Sequence, residues 1–287
     1  MALRRIAVCC AVCMILAIIA AQPRQAVLHA DEASLFGQTA QGILDRQLSA
    51  PLDSYLLLDA HSGRLLAEHW PDSSRPVPIG SLIKPFTASL YAQSHRQFPT
   101  IVCHGRRDAC WLPRGHGRIA LTRAIALSCN AYFLALSRAL RVQDANQMLA
   151  RYSLPPVTGE DKSLALAGLD DHWRVSPLTM ARAYLKLVHD SRRGPRADAD
   201  ERILRGMQES ARIGTARAVN SRYPVLAKTG TAECTHTPRA SADGFTVVLF
   251  PADDPRLLLL VRRHGTTGAK TAELAGAMLQ ALESGKS

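Results

Sequence analysis

The chain has 287 residues, which is enough for one large domain or two small ones. Hydrophobic residues make up 47% and charged residues 21%, without repeats or low-complexity tracts, so a folded core is expected and a disordered or fibrous chain is excluded. The net charge of +11 is strongly basic. Aromatic residues are only 5%, however, and this disfavours nucleic acid as a partner because few rings are present to stack on bases.

Residues 1–30 have the pattern of an export signal. Two arginines precede an apolar run over residues 6–21, and this run is shorter than the about 20 residues that a membrane span needs. We expect a signal peptide cleaved after Ala21 or Ala30, with an uncleaved N-terminal anchor and membrane association as the alternative. The protein would then act in the periplasm or on the outer face of the cytoplasmic membrane, where its basic charge suits an anionic envelope surface.

The first third of the chain begins with a helix and a hairpin. Hydrophobic spacing predicts an amphipathic helix over residues 31–49, and two strands over 54–59 and 64–68. Helical patterns then fill the middle of the chain, at residues 81–96, 120–127, 130–140, 143–152, 176–189 and 200–212. The stretches between them are predicted as irregular, loop or linker, at residues 98–118, 155–175 and 191–199.

The last quarter of the chain returns to strands. These are predicted over residues 225–232, 244–250 and 256–263, and a closing helix follows over 269–284. Strands at both ends with helices between them predict an α/β (α+β) fold. We expect a central antiparallel sheet flanked by terminal helices, with an inserted all-helical subdomain at about residues 98–215.

Residues 78–86 contain the only Ser-x-x-Lys sequence of the chain. Ser81 and Lys84 are three residues apart at the start of an apolar helix, which puts both side chains on one face. A serine becomes a strong nucleophile when a base takes its proton, and a lysine can do this once burial lowers its pKa. Only six of the 35 basic residues are lysines, so a lysine here indicates an amine that must lose its proton. The simpler alternative is a helix-capping serine beside a solvated lysine.

Two further motifs follow in the sequence. Ser128, Cys129 and Asn130 form Ser-x-Asn between two helical patterns, and Lys-Thr-Gly begins at Lys228 on a predicted strand. Taken singly, these residues could equally cap a helix or end a strand. In the order Ser-x-x-Lys, Ser-x-Asn, Lys-Thr-Gly they supply a nucleophile, a base, a second hydroxyl, an amide and a site for an anion.

This ordered set resembles the transpeptidase domain of penicillin-binding proteins, in the penicilloyl-serine transferase superfamily that includes the serine β-lactamases. The likeness extends over about residues 50–284, through the hairpin at 59–67, the helix at 175–184 and the Gly-Thr-Ala at 214–216. The Gly-His-Gly at 115–117, before the second motif, is similar to class B, elongation-type members. The resemblance marks everything after the export signal, residues 31–287, as one transpeptidase-like domain.

The resemblance implies a penicillin-binding, acyl-serine D,D-transpeptidase or D,D-carboxypeptidase that acts on peptidoglycan stem peptides of the cell wall. It implies inhibition by β-lactams and no cofactor for catalysis. Ser81 would attack the carbonyl, Lys84 would take its proton, and Ser128 would pass a proton to the leaving amine. The substrate-binding residues implied are Asn130, Lys228, Thr229, Gly230 and Thr231.

Two other functions remain open from the sequence. A serine β-lactamase would need a base that activates water for deacylation, and no Glu-x-x-Asn precedes the third motif. A β-lactam sensor or an accessory cell-wall module would keep the fold without catalysis. The three complete motifs favour the enzyme.

Four cysteines follow the export signal: Cys103, Cys110, Cys129 and Cys234. The first three, with His116, form a set of three thiols and one imidazole that suits a structural zinc site. A Cys103–Cys110 disulfide, favoured by an oxidising compartment, is the alternative. The resemblance adds that some elongation-type members hold zinc with this histidine and Cys129. Either link would hold the loop against the Ser128 turn, and Cys234 stays an unassigned thiol.

Overall fold

The computed structural model describes residues 35–159, 162–193, 197–235 and 240–285. The predicted export signal and the start of the first predicted helix lie outside these ranges. Among the described residues, none of the helices has the length and apolar character needed to cross a membrane.

The strands of the described residues fall into one large sheet and two small pairs. Their bounds are β1 Ser54–Asp59, β2 Leu65–His69, β3 Val77–Pro78, β4 Ile101–Cys103, β5 Gly117–Ile119, β6 Arg174–Val175, β7 Leu226–Ala232, β8 Asp243–Phe250 and β9 Leu257–His264. The large sheet is antiparallel, with the spatial order β2-β1-β9-β8-β7. The short strands pair as β3 with β6 and β4 with β5.

The helices pack on both faces of this sheet. Their bounds are α1 35–45, α2 Lys84–Ser94, α3 Leu121–Ala126, α4 Asn130–Arg138, α5 Val142–Arg151, α6 Lys162–Ala167, α7 Pro177–Arg193, α8 Ala197–Arg212 and α9 Gly268–Ser284. Helices α1 and α9 cover one face, and the helices of the middle of the chain cover the other. The predicted fold, a central antiparallel sheet with flanking terminal helices and inserted helices, is confirmed.

Strand β1 shows why the sheet needs cover on both sides. All of its leucines are fully buried, and successive side chains of a strand point to opposite faces. Tyr55 and Leu57 therefore pack with α9, whereas Leu56 and Leu58 pack with the helical side. Burial on both faces accounts for the continuous apolar run of this strand.

Helix α2 begins at Lys84, three residues after Ser81, and runs through the core on the face of the sheet that the middle helices cover. Its Phe86 is fully buried and meets the rings of Tyr152 and Tyr184 edge-on, with centroids 5.3 and 5.1 Å apart. Edge-to-face contacts of this kind add to the burial of apolar surface and keep the rings in place. The first turn of α2 is therefore held by residues of the neighbouring helices.

Three predicted stretches differ from the structure. The inserted region is not all-helical, because β4 and β5 form a ribbon inside the predicted irregular stretch 98–118. The predicted loop 155–175 contains α6 and β6. The linker predicted at 191–199 is wrong where it is described, because α7 extends to Arg193 and α8 begins at Ala197.

Candidate active site

Ser81 lies on a tight turn that places it above Lys84. Residues Gly80–Ile83 form one 3-10 turn, in which side chains three residues apart eclipse each other, and Lys84 donates its backbone N–H to the carbonyl oxygen of Ser81. Gly80 has a φ of +54°, and a Cβ atom there would collide with the backbone of Thr231. Only glycine allows this approach, which brings the Ser81 turn against strand β7.

Lys84 is fully buried and held by three oxygens of the Ser128 turn. Its Nζ donates to the Ser128 carbonyl oxygen at 2.9 Å, to Ser128 Oγ at 3.3 Å and to Asn130 Oδ1 at 2.6 Å. Burial lowers the pKa of Lys84 to about 7, against the opposing attraction of Cys129 and Cys110. A large share of this amine is therefore neutral near neutral pH and can accept a proton.

The Ser128 hydroxyl lies between two lysines. Besides Lys84, it accepts a hydrogen bond from Lys228 Nζ at 2.9 Å, and that amine also donates to the Thr229 carbonyl oxygen at 2.6 Å. Burial lowers the pKa of Lys228 well below its usual value, and the charge of Lys84 lowers it further. Ser128 itself has a φ of +51°, a strained conformation for a residue with a Cβ atom. The strained turn aims the hydroxyl between the two amines.

Strand β7 forms the opposite wall of the site. Gly230 lies so close to the backbone of Ile79 that a side chain would not fit there. Thr229 shares a hydrogen bond with Thr215, their Oγ1 atoms being 2.6 Å apart, and the exposed Thr231 accepts one from the backbone N–H of Gly268. The third motif therefore faces the Ser81 turn across a narrow gap.

A cleft of about 330 Å³ opens over these groups. It is lined by Ser81, Trp111, Ser128, Asn130, Gly168, Leu169, Thr215, Thr229, Gly230, Thr231, Thr267 and Ala269. The Ser81 hydroxyl is partly exposed in it and has no hydrogen-bond partner among the described residues. A larger surface cavity, of about 850 Å³, lies elsewhere and contains none of the motif residues.

The structure brings together all eight residues that the sequence proposed for catalysis and substrate binding. It adds Trp111, which lines the cleft and donates its indole N–H to the Leu127 carbonyl oxygen at 3.0 Å. It also adds Thr215 and Gly168. Thr215 belongs to the Gly-Thr-Ala of the resemblance and could have been found from it, whereas no local pattern distinguishes Trp111 or Gly168.

The four predicted metal ligands, Cys103, Cys110, His116 and Cys129, also lie together, with ligand atoms within 4.8 Å of one another. His116 Nδ1 is 3.7 and 3.4 Å from the sulfur atoms of Cys103 and Cys110, and Cys110 Sγ is 3.9 Å from Cys129 Sγ. Ligands of a tetrahedral zinc ion are about 3.5–3.8 Å apart, so the group fits a metal ion. All three thiols are free, and the Cys103–Cys110 disulfide is not formed.

The contact between two thiols favours the thiolate form of one cysteine in this group. The sulfur atoms of Cys110 and Cys129 are 3.9 Å apart, and their contact lowers the pKa of Cys110, as His116 also does, while it raises the pKa of Cys129. A thiolate is the form of cysteine that binds metal. Because Cys129 also precedes Asn130 in the second motif, the cluster is attached directly to the turn that holds Lys84.

The family model of the penicillin binding protein transpeptidase domain matches residues 72–281. The chain therefore belongs to the family of penicillin-binding protein transpeptidase domains. A search of curated proteins finds no match for the sequence.

Solved structures of this family share the fold at low sequence identity. PBP2 of Pseudomonas aeruginosa, solved in complex with WCK 5153, aligns with a TM-score of 0.72 at 17% identity, over 86% of this chain and 74% of that one. The transpeptidase domain of penicillin-binding protein 3 from Burkholderia pseudomallei aligns with a TM-score of 0.68 at 18% identity, over 89% and 93%. PBP2 of Helicobacter pylori, solved in complex with MreC, aligns with a TM-score of 0.71 at 15% identity, over 86% of this chain and 62% of that one. The predicted likeness to the transpeptidase domain of penicillin-binding proteins is thus confirmed.

Proposed function

We propose that the protein is an acyl-serine D,D-transpeptidase or D,D-carboxypeptidase that acts on peptidoglycan stem peptides. One observation carries the proposal: the Ser128 hydroxyl accepts hydrogen bonds from both Lys84 and Lys228, and it lines the same cleft as Ser81. A nucleophile, a base with a lowered pKa and a hydroxyl that can pass a proton then line one cleft.

In the first half of the reaction, Ser81 Oγ attacks the carbonyl carbon of the bond between two D-alanines. The Ser81 proton moves to the neutral amine of Lys84, which burial keeps available near neutral pH. The new bond joins Ser81 Oγ to the acyl carbon, and the C–N bond to the terminal D-alanine breaks. The leaving amine takes its proton from the Ser128 hydroxyl, which regains one from Lys84.

The third motif supports binding of the substrate carboxylate and of the developing oxyanion. Lys228 brings a positive charge and Thr229 a hydroxyl to the β7 wall. Because Gly80 packs on the backbone of Thr231, the N–H groups of Ser81 and Thr231 are suited to stabilise the oxyanion. The amide of Asn130 is held by Lys84 and by the Ala109 carbonyl oxygen, and it completes the substrate contacts.

The acyl-enzyme then passes to an amine acceptor or to water. An amine acceptor gives a cross-link between peptides, and water gives a trimmed peptide. A β-lactam opens on Ser81 in the same way and remains attached when deacylation is slow. The rival functions, a β-lactamase and a non-catalytic sensor or wall-binding module, differ from this proposal in the fate of that adduct and in release of D-alanine.

We assign a structural zinc ion to Cys103, Cys110, His116 and Cys129. Bound there, zinc would supply a cross-link between the loop that carries β4 and β5 and the Ser128 turn. The residues themselves orient Asn130, since its Nδ2 donates to the carbonyl oxygen of Ala109, next to Cys110. The site is therefore structural and takes no part in proton transfer.

The same proposal includes the place of action. Residues 1–30 would direct export, with cleavage or retention as an anchor, so that the domain works in the periplasm or at the outer face of the cytoplasmic membrane. A basic domain is favoured there by the anionic envelope.

The experiment is a time course of intact mass with benzylpenicillin, measured on the protein and on Ser81→Ala. We expect one penicillin per chain, stable over time and absent from the variant. Ser74→Ala, an exposed serine in a turn away from the cleft, is the matched control and should acylate normally.

The same measurement separates the rival functions. An adduct that disappears while antibiotic is consumed would mean a β-lactamase. A stable adduct without release of D-alanine from stem peptides would mean a sensor or an accessory module. Absence of any adduct on the folded protein would overturn the assignment of Ser81.

A further inference from the structure

A second group of potential metal ligands lies at the end of the large sheet, apart from the predicted zinc site. It consists of Cys234, just after β7, Asp243, the first residue of β8, and His264, the last residue of β9. Their ligand atoms lie within 4.8 Å of one another. None of the three belongs to the motifs of the proposed reaction.

Sheet register brings these residues together. Asp243 is paired with His264 across β8 and β9, and with Ala232 across β7 and β8. Residues paired across antiparallel strands point to the same face, and Cys234 follows Ala232 by two residues, which is the spacing that returns to that face of a strand. Three neighbouring chain segments therefore present a thiol, a carboxylate and an imidazole at one point.

The contacts converge on one ring nitrogen. His264 Nδ1 lies 2.7 Å from Asp243 Oδ1 and 3.5 Å from Cys234 Sγ. The residues are hardly accessible: Asp243 is 2% exposed, and Cys234 is 9% exposed. A catalytic relay of thiol, imidazole and carboxylate would need the thiol and the carboxylate on different ring nitrogens. Here both approach the same nitrogen, so the three groups face one point instead of forming a relay.

We propose that Cys234, Asp243 and His264 bind a divalent transition-metal ion of the zinc type. Thiolate, imidazole and carboxylate are the three ligand types that zinc takes from proteins. Three protein ligands leave one tetrahedral position for water. This site would thus be more open than the group at Cys129, which supplies four protein ligands.

A metal ion at this site would affect the structure of the cleft because the site lies close to Thr231. Cys234 is three residues beyond Thr231 on the same chain segment, and the intervening Glu233 donates its backbone N–H to Asp171 Oδ1 at 3.0 Å. An ion at Cys234 would tie the end of β7 to β8 and β9. It would thereby fix the edge of the cleft that carries Thr231, on the wall opposite to the Cys129 group.

The test is the zinc content of the folded protein, after reconstitution with zinc alone and removal of excess ion. We expect two zinc ions per chain for the wild type. Cys234→Ser and His264→Gln should each bind one ion, the Cys103→Ser, Cys129→Ser double variant should also bind one, and the triple variant that adds Cys234→Ser should bind none. Circular dichroism checks folding, and Asp243→Asn, which keeps the shape of the side chain, replaces any variant that fails to fold.

The outcomes distinguish this site from the first one. A wild type with two ions of which Cys234→Ser loses one, or with one ion that Cys234→Ser removes, supports the proposal. A wild type with one ion that the Cys103→Ser, Cys129→Ser double variant loses and Cys234→Ser retains overturns it, as does unchanged zinc content in Cys234→Ser and His264→Gln. Since the readout is metal content, failure of penicillin acylation would not affect the result.

A second measurement uses the difference in ligand number. A colorimetric chelator should remove the ion at Cys234 first, giving two phases of one ion each in the wild type and only the slow phase in Cys234→Ser. Cobalt in place of zinc should give a thiolate-to-metal absorbance band in the triple variant Cys103→Ser, Cys110→Ser, Cys129→Ser, and this band should disappear when Cys234→Ser is added. Absence of that band would contradict coordination by Cys234.

Discussion

The two buried lysines of the cleft have similar surroundings, although we propose different roles for them. Lys84 and Lys228 are both fully buried, both have lowered pKa values, and both donate to the same oxygen of Ser128. Lys84 comes from the helical wall, one turn from Ser81, and its other partners are oxygens of the Ser128–Asn130 turn. Lys228 comes from the sheet wall, beside the threonines of the third motif.

In the proposed reaction, position more than burial separates the base, Lys84, from the anion site at Lys228. Two positive charges so near one hydroxyl repel each other, and this repulsion is part of what lowers the pKa of Lys228. When Lys84 is neutral, Lys228 can keep its proton at a smaller free-energy cost. We therefore expect the pair to hold one charge between them, on Lys228 when Lys84 acts as the base.

Substituting arginine for each of the two lysines should separate their roles and give the largest effect on the rate of acylation. Arginine keeps the charge but cannot act as a base, so Lys84→Arg should lower the rate of acylation by about 10²–10⁴-fold. Lys228→Arg keeps the charge that attracts a carboxylate and should lower the rate by about tenfold or less. The rates come from benzylpenicillin mass time courses, with thermal unfolding to compare the folding of the two variants. Equal losses in two folded variants would contradict separate roles.

The pH dependence of acylation should sharpen the comparison further. Lys84 has a pKa lowered to about 7, so its neutral form is lost below that pH and the rate should fall about tenfold for each pH unit further down. The fall at acidic pH should end where Lys84 is neutral, and a second fall is expected on the alkaline side of the Lys228 pKa, which burial and the charge of Lys84 lower. In Lys228→Arg the alkaline decline should disappear. If Lys228→Arg instead shifted the fall in rate at acidic pH and kept the fall at alkaline pH, the roles proposed for Lys84 and Lys228 would have to be exchanged.

Removal of metal from the Cys129 group should give a smaller effect, on the helical wall alone. The Ser128 turn would lose its link to the loop at Cys110, and we expect Cys129→Ser to lower the midpoint of thermal unfolding by roughly 5–10 °C. Acylation should slow by less than about tenfold, because the hydrogen bonds of Lys84 remain. Cys103→Ser is the matched variant, as it removes a ligand without changing the second motif. A midpoint that stays the same with and without chelator would exclude a structural metal at this site.

Some elements were determined by short stretches of sequence. Strand β1 has the predicted bounds, because an uninterrupted apolar run ending at a turn suits a strand buried on both faces. Helix α9 begins within one residue of its predicted start, where Thr267 caps it. The alignment of Ser81 with Lys84 needs only a single helical turn, so their spacing already predicted it.

Other elements depended on contacts between distant residues. Helix α6 has six residues, too few for its sequence pattern to stand out, and packing against its neighbours stabilises it. The strands of the ribbon, β4 and β5, have three residues each, so their sequence pattern is also too short to stand out.

The site likewise has a local part, which is the motifs themselves, and a tertiary part, which is the contacts between them. Sequence indicated the motifs, but Lys228 reaches Ser128 from 100 residues away, and only the burial of both amines in the folded core lowers their pKa values. The group at Cys234, Asp243 and His264 depends wholly on the register of three strands, since a shift by one residue would turn each side chain to the opposite face. Local spacing thus determined the chemistry available on each segment, and tertiary structure decided which groups meet.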